Sequence, residues 1–290
     1  MKKSLLIGLA LLLAGTGVAR PIVVKTGIEV LKAQRFELLE GKRVGLITNP
    51  TGVDDGLRST VDILNEAPNV ELVALFGPEH GVRGDAHAGD HVGNQTDPVT
   101  GLPVYSLYGK TRKPTPEMLR GIDVLVYDIQ DIGCRSFTYI STMGEAMAAA
   151  AENGIEFVVL DRPNPLGGRK VEGPLVQDGF FSQYRIPYVY GLTCGELAML
   201  LNGEGMIGKP CNLHVVAMEG WKRDMVYEDT GLQWIPSSPH IPQAGPVVSS
   251  FLSILSMVLL SVEDKGGLIM NTLRPKLTLL DEHPTPLQYL

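Results

Sequence analysis

Val124-Leu125-Val126-Tyr127-Asp128-Ile129-Gln130-Asp131-Ile132-Gly133-Cys134-Arg135-Ser136-Phe137-Thr138-Tyr139 opens as an apolar strand. At residue 128 it turns into carboxylates, an amide, a guanidinium and aromatics. Residues 124–127 carry no polar alternation, so the strand is expected to be covered on both faces, as in a mostly parallel sheet flanked by helices. Polar chemistry at the exit of such a strand marks the edge where open α/β sheets place their sites.

Working outward, the same alternation recurs. Strand-like runs fall at 43–49, 70–76, 103–107, 157–160 and 213–217, with helical spacing at 59–65, 116–120 and 138–153. Ser59 or Thr60 is a plausible N-cap, Asn153-Gly154 a helix stop, and Thr193-Cys194-Gly195-Glu196 has capping-box spacing ahead of 197–201. The pattern predicts a doubly wound, Rossmann-like α/β fold. The turn after the first strand, Asn49-Pro50-Thr51-Gly52-Val53, is not the glycine fingerprint of dinucleotide binders, so NAD is rejected and no cofactor is expected.

Lys2 and Lys3, the apolar run 5–14 and Gly17-Val18-Ala19 read as a secretory signal over residues 1–19, too short to span a membrane. An exported protein, periplasmic or secreted, is expected, with no stable membrane insertion once the signal is removed. Residues 20–242 are read as the Rossmann-like catalytic domain and 243–290 as a region where the alternation is lost. A net charge of −7 argues against nucleic acid as a partner. Cys134, Cys194 and Cys211 are too few for a disulfide framework, and at least two are expected to be small buried residues.

Three strand exits converge in composition. The second strand gives Gly77-Pro78-Glu79-His80-Gly81, then Arg83 and Asp85; the fourth gives Asp128, Gln130, Asp131, Arg135 and Tyr139. The fifth gives Asp161, Arg162 and Asn164, followed by Glu172-Gly173-Pro174. In a parallel sheet these exits share one edge. Carboxylates there can divide into proton donor and base or nucleophile, and arginines beside them suit an anionic group. Structural roles fit as well: Asp128 as a cap for the next helix, Asp131 with Arg135 as an ion pair, Asp161 to Asn164 as an Asx turn. His80, His87 and His91 with Asp85 and Asp90 resemble metal ligands in composition but match no ligand spacing, so no metal is expected. Ser106, Ser136 and Ser141 lack the nucleophile-elbow context.

These motifs, with Tyr190-Gly191, Glu196 and Ser238-Pro239-His240-Ile241-Pro242 in the same order, resemble the exo-β-N-acetylmuramidase family once described only as a domain of unknown function. The resemblance covers residues 40–242. It implies a glycoside hydrolase that releases N-acetylmuramic acid from the non-reducing ends of peptidoglycan fragments, in cell-wall turnover. It further implies a Rossmann-like domain whose cleft is closed by a smaller C-terminal domain, of which 243–290 is expected to be a divergent or truncated remnant. Carried onto this sequence, Glu79 is the first choice for a catalytic carboxyl, with Asp128, Asp131 and Glu172 as candidate partners. Arg83 or Arg135 suits the lactyl carboxylate, Tyr139 or Tyr190 the sugar face, and Gln130 and Asn164 its hydroxyl or acetamido groups; His80 and Asp161 complete the expected binding set. The alternative is an exported cell-wall sugar-binding protein without turnover.

Overall fold

Six parallel strands define the molecule, each feeding its exit to the same edge. A computed structural model describes residues 24–84, 95–175, 183–238 and 241–244. The strands are β1 (Arg43–Thr48), β2 (Glu71–Gly77), β3 (Gln95–Thr96), β4 (Pro103–Ser106), β5 (Val124–Asp128), β6 (Glu156–Leu160) and β7 (Leu213–Val216). Their order across the sheet is β3-β4-β2-β1-β5-β6-β7, all parallel except β3 against β4. The chain builds outward from β1 in one direction, then returns to its other side at β5. The doubly wound fold expected from the alternation is the fold observed.

Two faces explain the unbroken apolar strands. Val44, Leu46, Val124, Val126, Val158 and Leu160 point to one core, shared with α1 (Gly27–Ala33) and α2 (Thr60–Glu66). Ile47, Leu125, Tyr127, Phe157 and Val159 point to the other, under α3 (Tyr139–Asn153) and α4 (Cys194–Gly203). Period-two alternation is therefore present but hidden, because both faces are buried. The register of β2 on β1 slips between Val44 and Gly45. A third cluster, with Ile132, Cys134, Val189, Tyr227 and Trp234, lies among the loops.

Local signals set the helix starts. The Ser59 hydroxyl accepts from Val61 N at 3.1 Å to cap α2. Thr193 and Glu196 close the expected capping box on α4, at 3.2 and 3.0 Å. An equivalent box at Thr26 and Glu29 starts α1, a helix the periodicity had not suggested. Residues 116–120 make turns rather than the expected helix: Leu119 N bonds Thr115 O at 3.1 Å, and Gly121 then takes φ 80°. Between Pro116 and that left-handed glycine there is no room for a second turn.

All three cysteines are buried free thiols, as expected of at least two. The signal segment, His87, His91, Asp85, Asp90 and residues 245–290 lie outside the described residues. No helix among the described residues is long and apolar enough to cross a membrane.

Close packing inverts one propensity rule. Alanine normally outranks glycine in a helix by about 1 kcal/mol. At Gly144 in α3, a Cβ would fall 1.8 Å from the hydroxyl oxygen of buried Tyr184. Gly144→Ala is expected to destabilise the fold by about 1–3 kcal/mol in denaturant melts. The ring carbon Cζ would also stand 2.5 Å away, so Tyr184→Leu, which removes the ring end, should make the added Gly144→Ala cost much smaller than it is in the wild type.

Candidate active site

The strand order puts the topological switch between β1 and β5, where open α/β sheets usually bind ligands. Here that crevice is filled by the protein itself. Thr48 Oγ1 donates to Asp128 O across it at 2.8 Å, and Gln130 N donates to Thr51 Oγ1 at 2.8 Å. Asp128, fully buried, takes Arg162 Nε at 2.5 Å, Arg162 Nη2 at 3.0 Å and Thr60 Oγ1 at 2.5 Å. Arg162 Nη2 also reaches Val53 O at 2.8 Å. Only about 20 Å³ remains beside this network, lined by Thr51, Gln130 and Arg162 among others. Asp128 caps no helix: it holds the β6 exit to the β5 exit and to α2.

The usable space lies one position along, on the α3 face. A cleft of about 360 Å³ is lined by Leu107, Tyr108 and Arg112 after β4, by Thr138, Ser141, Thr142 and Glu145 at the start of α3, and by Gln183. Glu79 belongs at its border: its carboxylate lies close enough to Tyr108, which lines the cleft, to raise the pKa of that phenol. The Glu79 charge is also felt by Tyr139. The turn carrying it is closed by Gly81 N to Pro78 O at 3.0 Å, with His80 at φ 73°. A left-handed non-glycine residue is costly and survives where its surroundings impose it, often at functional sites. His80 Nδ1 is buried with no hydrogen-bond partner among the described residues.

The remaining expected residues do not line this cleft. Arg83 donates to Asp97 Oδ1 at 3.0 Å and Asp62 Oδ1 at 2.9 Å; burial of Asp97 is outweighed by Arg83 and Thr100, which hold its carboxyl at about 2. Arg135, buried, donates to the carbonyls of Ile186 and Pro174, the latter at 2.7 Å. Its guanidinium lies 5.7 Å from the ring centroid of Tyr188. Tyr139 donates to Ser237 O at 2.6 Å, and Tyr190 donates to Asp131 Oδ2. Both rings are buried in the core of the α3 face, so neither presents a face to a sugar.

Gln130 Nε2 donates to Asp131 O at 2.7 Å and Pro163 O at 2.8 Å. Asn164 makes the expected Asx turn, accepting from Leu166 N at 2.9 Å, and donates to Leu192 O at 2.9 Å. Asp161 accepts from Gly195 N at 2.7 Å and Thr193 Oγ1 at 2.9 Å, docking the start of α4 on the β6 exit. Glu172 is exposed, pairing its backbone with Val189 and lying 3.6 Å from Lys170. Among the described residues no group of three or more His, Cys, Asp or Glu is arranged to hold a metal.

Sequence reasoning missed Tyr108, Arg112, Glu145 and Gln183. One signal was available: Glu145 interrupts the apolar run of α3 on the turn after Ser141 and Thr142. Its carboxylate takes a hydrogen bond from Gln183 Nε2.

With this geometry in hand, comparison with known proteins is direct. The family model described as exo-beta-N-acetylmuramidase NamZ, N-terminal, matches residues 44–245. The chain belongs to the NamZ family. The resemblance read from the motifs is borne out. Peptidoglycan beta-N-acetylmuramidase NamZ of Bacillus subtilis (strain 168) is 56% identical over 222 residues, or 76% of this chain and 53% of that relative. Thus the chain spans about half the length of the curated relative it matches. A crystal structure of a DUF1343 family protein from Bacteroides fragilis NCTC 9343 superposes with TM-score 0.75 at 73% identity, over 79% of this chain and 58% of that one. A second from the same organism gives TM-score 0.66 at 35% identity, over 77% and 59%. The NamZ-like fold is thereby shared at the level of both sequence and structure.

Two tests address the buried charges. Arg162→Met strands the Asp128 carboxylate and is expected to cost about 3–5 kcal/mol, read by chemical denaturation; a loss below about 1 kcal/mol would overturn the anchoring role. Asp131 has its carboxyl pushed up to about 6 by burial, against the bonds from Tyr190, Gly133 and Ile132. Its folded value lies above the unfolded value of about 4, so the penalty is absent at low pH and grows as pH rises through about 6. Relative to Asp131→Asn, the wild type should lose up to about 2–3 kcal/mol between pH 4 and 6; parallel stability profiles would count against it.

Proposed function

We propose that this chain carries the sugar-cleaving site of an exo-acting β-N-acetylmuramidase, which releases N-acetylmuramic acid from the non-reducing ends of peptidoglycan fragments. One observation carries the reading: the Glu79 carboxylate, on a turn whose next residue His80 is left-handed, stands beside Tyr108 at the border of the cleft. Glu79 gives its proton to the glycosidic oxygen as the C1–O bond breaks. Glu145, held by Gln183 in the same cleft, supplies negative charge for the oxocarbenium-like transition state; water then adds its oxygen to C1 and its proton returns to the Glu79 carboxylate. Tyr108 holds the acid in place.

The size of the cleft supports action at a chain end. Its volume of about 360 Å³ is at the small end of the range of about 300–1,000 Å³ typical of ligand pockets. One substituted sugar ring fits that space better than a run of them. A role in cell-wall turnover outside the cytoplasm, periplasmic or secreted, follows from this substrate and from the signal-like residues 1–19.

The test is incubation with a defined glycan ending in N-acetylmuramic acid, with products separated by chromatography. Free N-acetylmuramic acid as the sole early product is expected, and larger internal fragments would overturn exo action. Glu79→Gln should lower kcat by about 10²–10⁴-fold with little change in Tm. Full activity in that variant would remove Glu79 from the mechanism.

A further inference from the structure

N-Acetylmuramic acid differs from N-acetylglucosamine by a lactyl ether, whose carboxylate is the only charge on the sugar. Neither Arg83 nor Arg135, the arginines expected to meet it, lines the cleft. The N-terminal end of α3 does. Thr138, Ser141 and Thr142 all line the cleft, so the first turn of the helix forms part of its wall.

That turn is open. Thr142 N is the first amide of the helix to find a helical partner, Thr138 O at 3.0 Å. The N–H groups of Tyr139, Ile140 and Ser141 come before it, and Thr138 provides no side-chain cap for them. No acidic residue stands in the first turn to balance the positive end of this 15-residue helix. Amides and dipole together favour an anion.

One side chain points independently to a ligand. Ser141 is 4% exposed, and that remnant of surface opens into the cleft. Its hydroxyl has no hydrogen-bond partner among the described residues, whereas Thr142 beside it turns its own hydroxyl back to Thr138 O at 3.3 Å. A nearly buried hydroxyl without a protein partner keeps its proton for whatever enters the cleft. A carboxylate can take an O–H and amide N–H groups at once, as charge-assisted bonds. Glu145, the negative group of the same wall, stands six residues beyond Tyr139 and is engaged by Gln183. At 1.5 Å per residue the separation is about 9 Å along the axis. A sugar with its reacting carbon toward Glu145 can therefore direct its lactyl arm to the open turn.

We infer that the open first turn of α3, with Ser141 as its side-chain donor, binds the lactyl carboxylate and selects N-acetylmuramic acid over N-acetylglucosamine. The inference rests on the muramidase reading, and one experiment separates the two. Calorimetry gives the affinities of the wild type, Ser141→Ala and Ser141→Asp for free N-acetylmuramic acid, its lactyl methyl ester and N-acetylglucosamine. Turnover of a chromogenic N-acetylmuramide by the wild type is measured alongside.

In the wild type, the acid should bind tighter than both neutral sugars. Ser141→Ala removes one donor to a charged group, and should weaken the acid by about tenfold and the neutral sugars by less than about twofold. Tm should hold or rise, because the lost hydroxyl bonds nothing in the protein and alanine favours the helix. Ser141→Asp sets the protein's own carboxylate in the first turn and should abolish the advantage of the acid; Ser141→Ala decides alone if the larger side chain disturbs the fold. A wild type that turns over the muramide, together with a Ser141→Ala variant that keeps the full preference for acid over ester, overturns this inference alone. So does a fall in Tm with all three ligands weakened equally, the mark of a structural serine. A wild type with neither turnover nor preference overturns the muramidase reading and this inference with it.

Discussion

The ion pair of Asp128 and Arg162 is the constraint on which the rest of the edge depends. Two charges with almost no solvent access bind each other through two contacts, while Thr60 Oγ1 donates to Asp128 and Val53 O accepts from Arg162. Four chain segments thus meet at one ion pair: the exits of β5 and β6, the start of α2 and, through Arg162, the loop after β1. Such a pair adds little net stability over a well-packed apolar substitute, yet removing one member is severe. Its value is positional. It fixes how the strand exits sit relative to each other, and that decides where an opening can remain.

Because the pair and its neighbours fill the switch crevice, the cleft is displaced toward β4 and α3. The displacement explains why so many polar residues of the Tyr127–Tyr139 segment are structural. Asp131, Gln130, Arg135 and Tyr139 are each bound to backbone or to a neighbour. Residues that line the open volume come from the shorter, less conspicuous segments after β4 and along α3. Glu79 joins the two sets, at the border of the cleft and within the field of buried Tyr139.

Much of the fold was legible because its signals are local. Apolar runs of four to seven residues, the Ser59 cap, the Thr193–Glu196 box and the Asn153-Gly154 stop each state their structure within a few positions. The Thr26–Glu29 spacing ahead of α1 is a signal of the same local kind. Strand β3 was not readable, as two exposed polar residues on an edge carry no periodicity. The site was legible only to the level of the edge. Composition cannot distinguish an arginine that binds a ligand from one that binds an aspartate 14 residues further along, as Arg83 does. Glu145 looked like an ordinary helix residue, and only tertiary placement gave it a cleft to face.

The three buried thiols have a bearing on the life of the chain before it folds. Burial raises Cys134 to about 12 and Cys211 to about 11, and holds Cys194 well above its usual value. Reactive thiolate is then vanishingly scarce at neutral pH in the native state. In an oxidising compartment the finished molecule is chemically quiet, while the extended chain presents three ordinary sulfhydryls that no native bridge awaits. Any disulfide formed between them before folding is a mistake that has to be undone. Speed of folding, rather than oxidative assembly, is the protection such a chain requires.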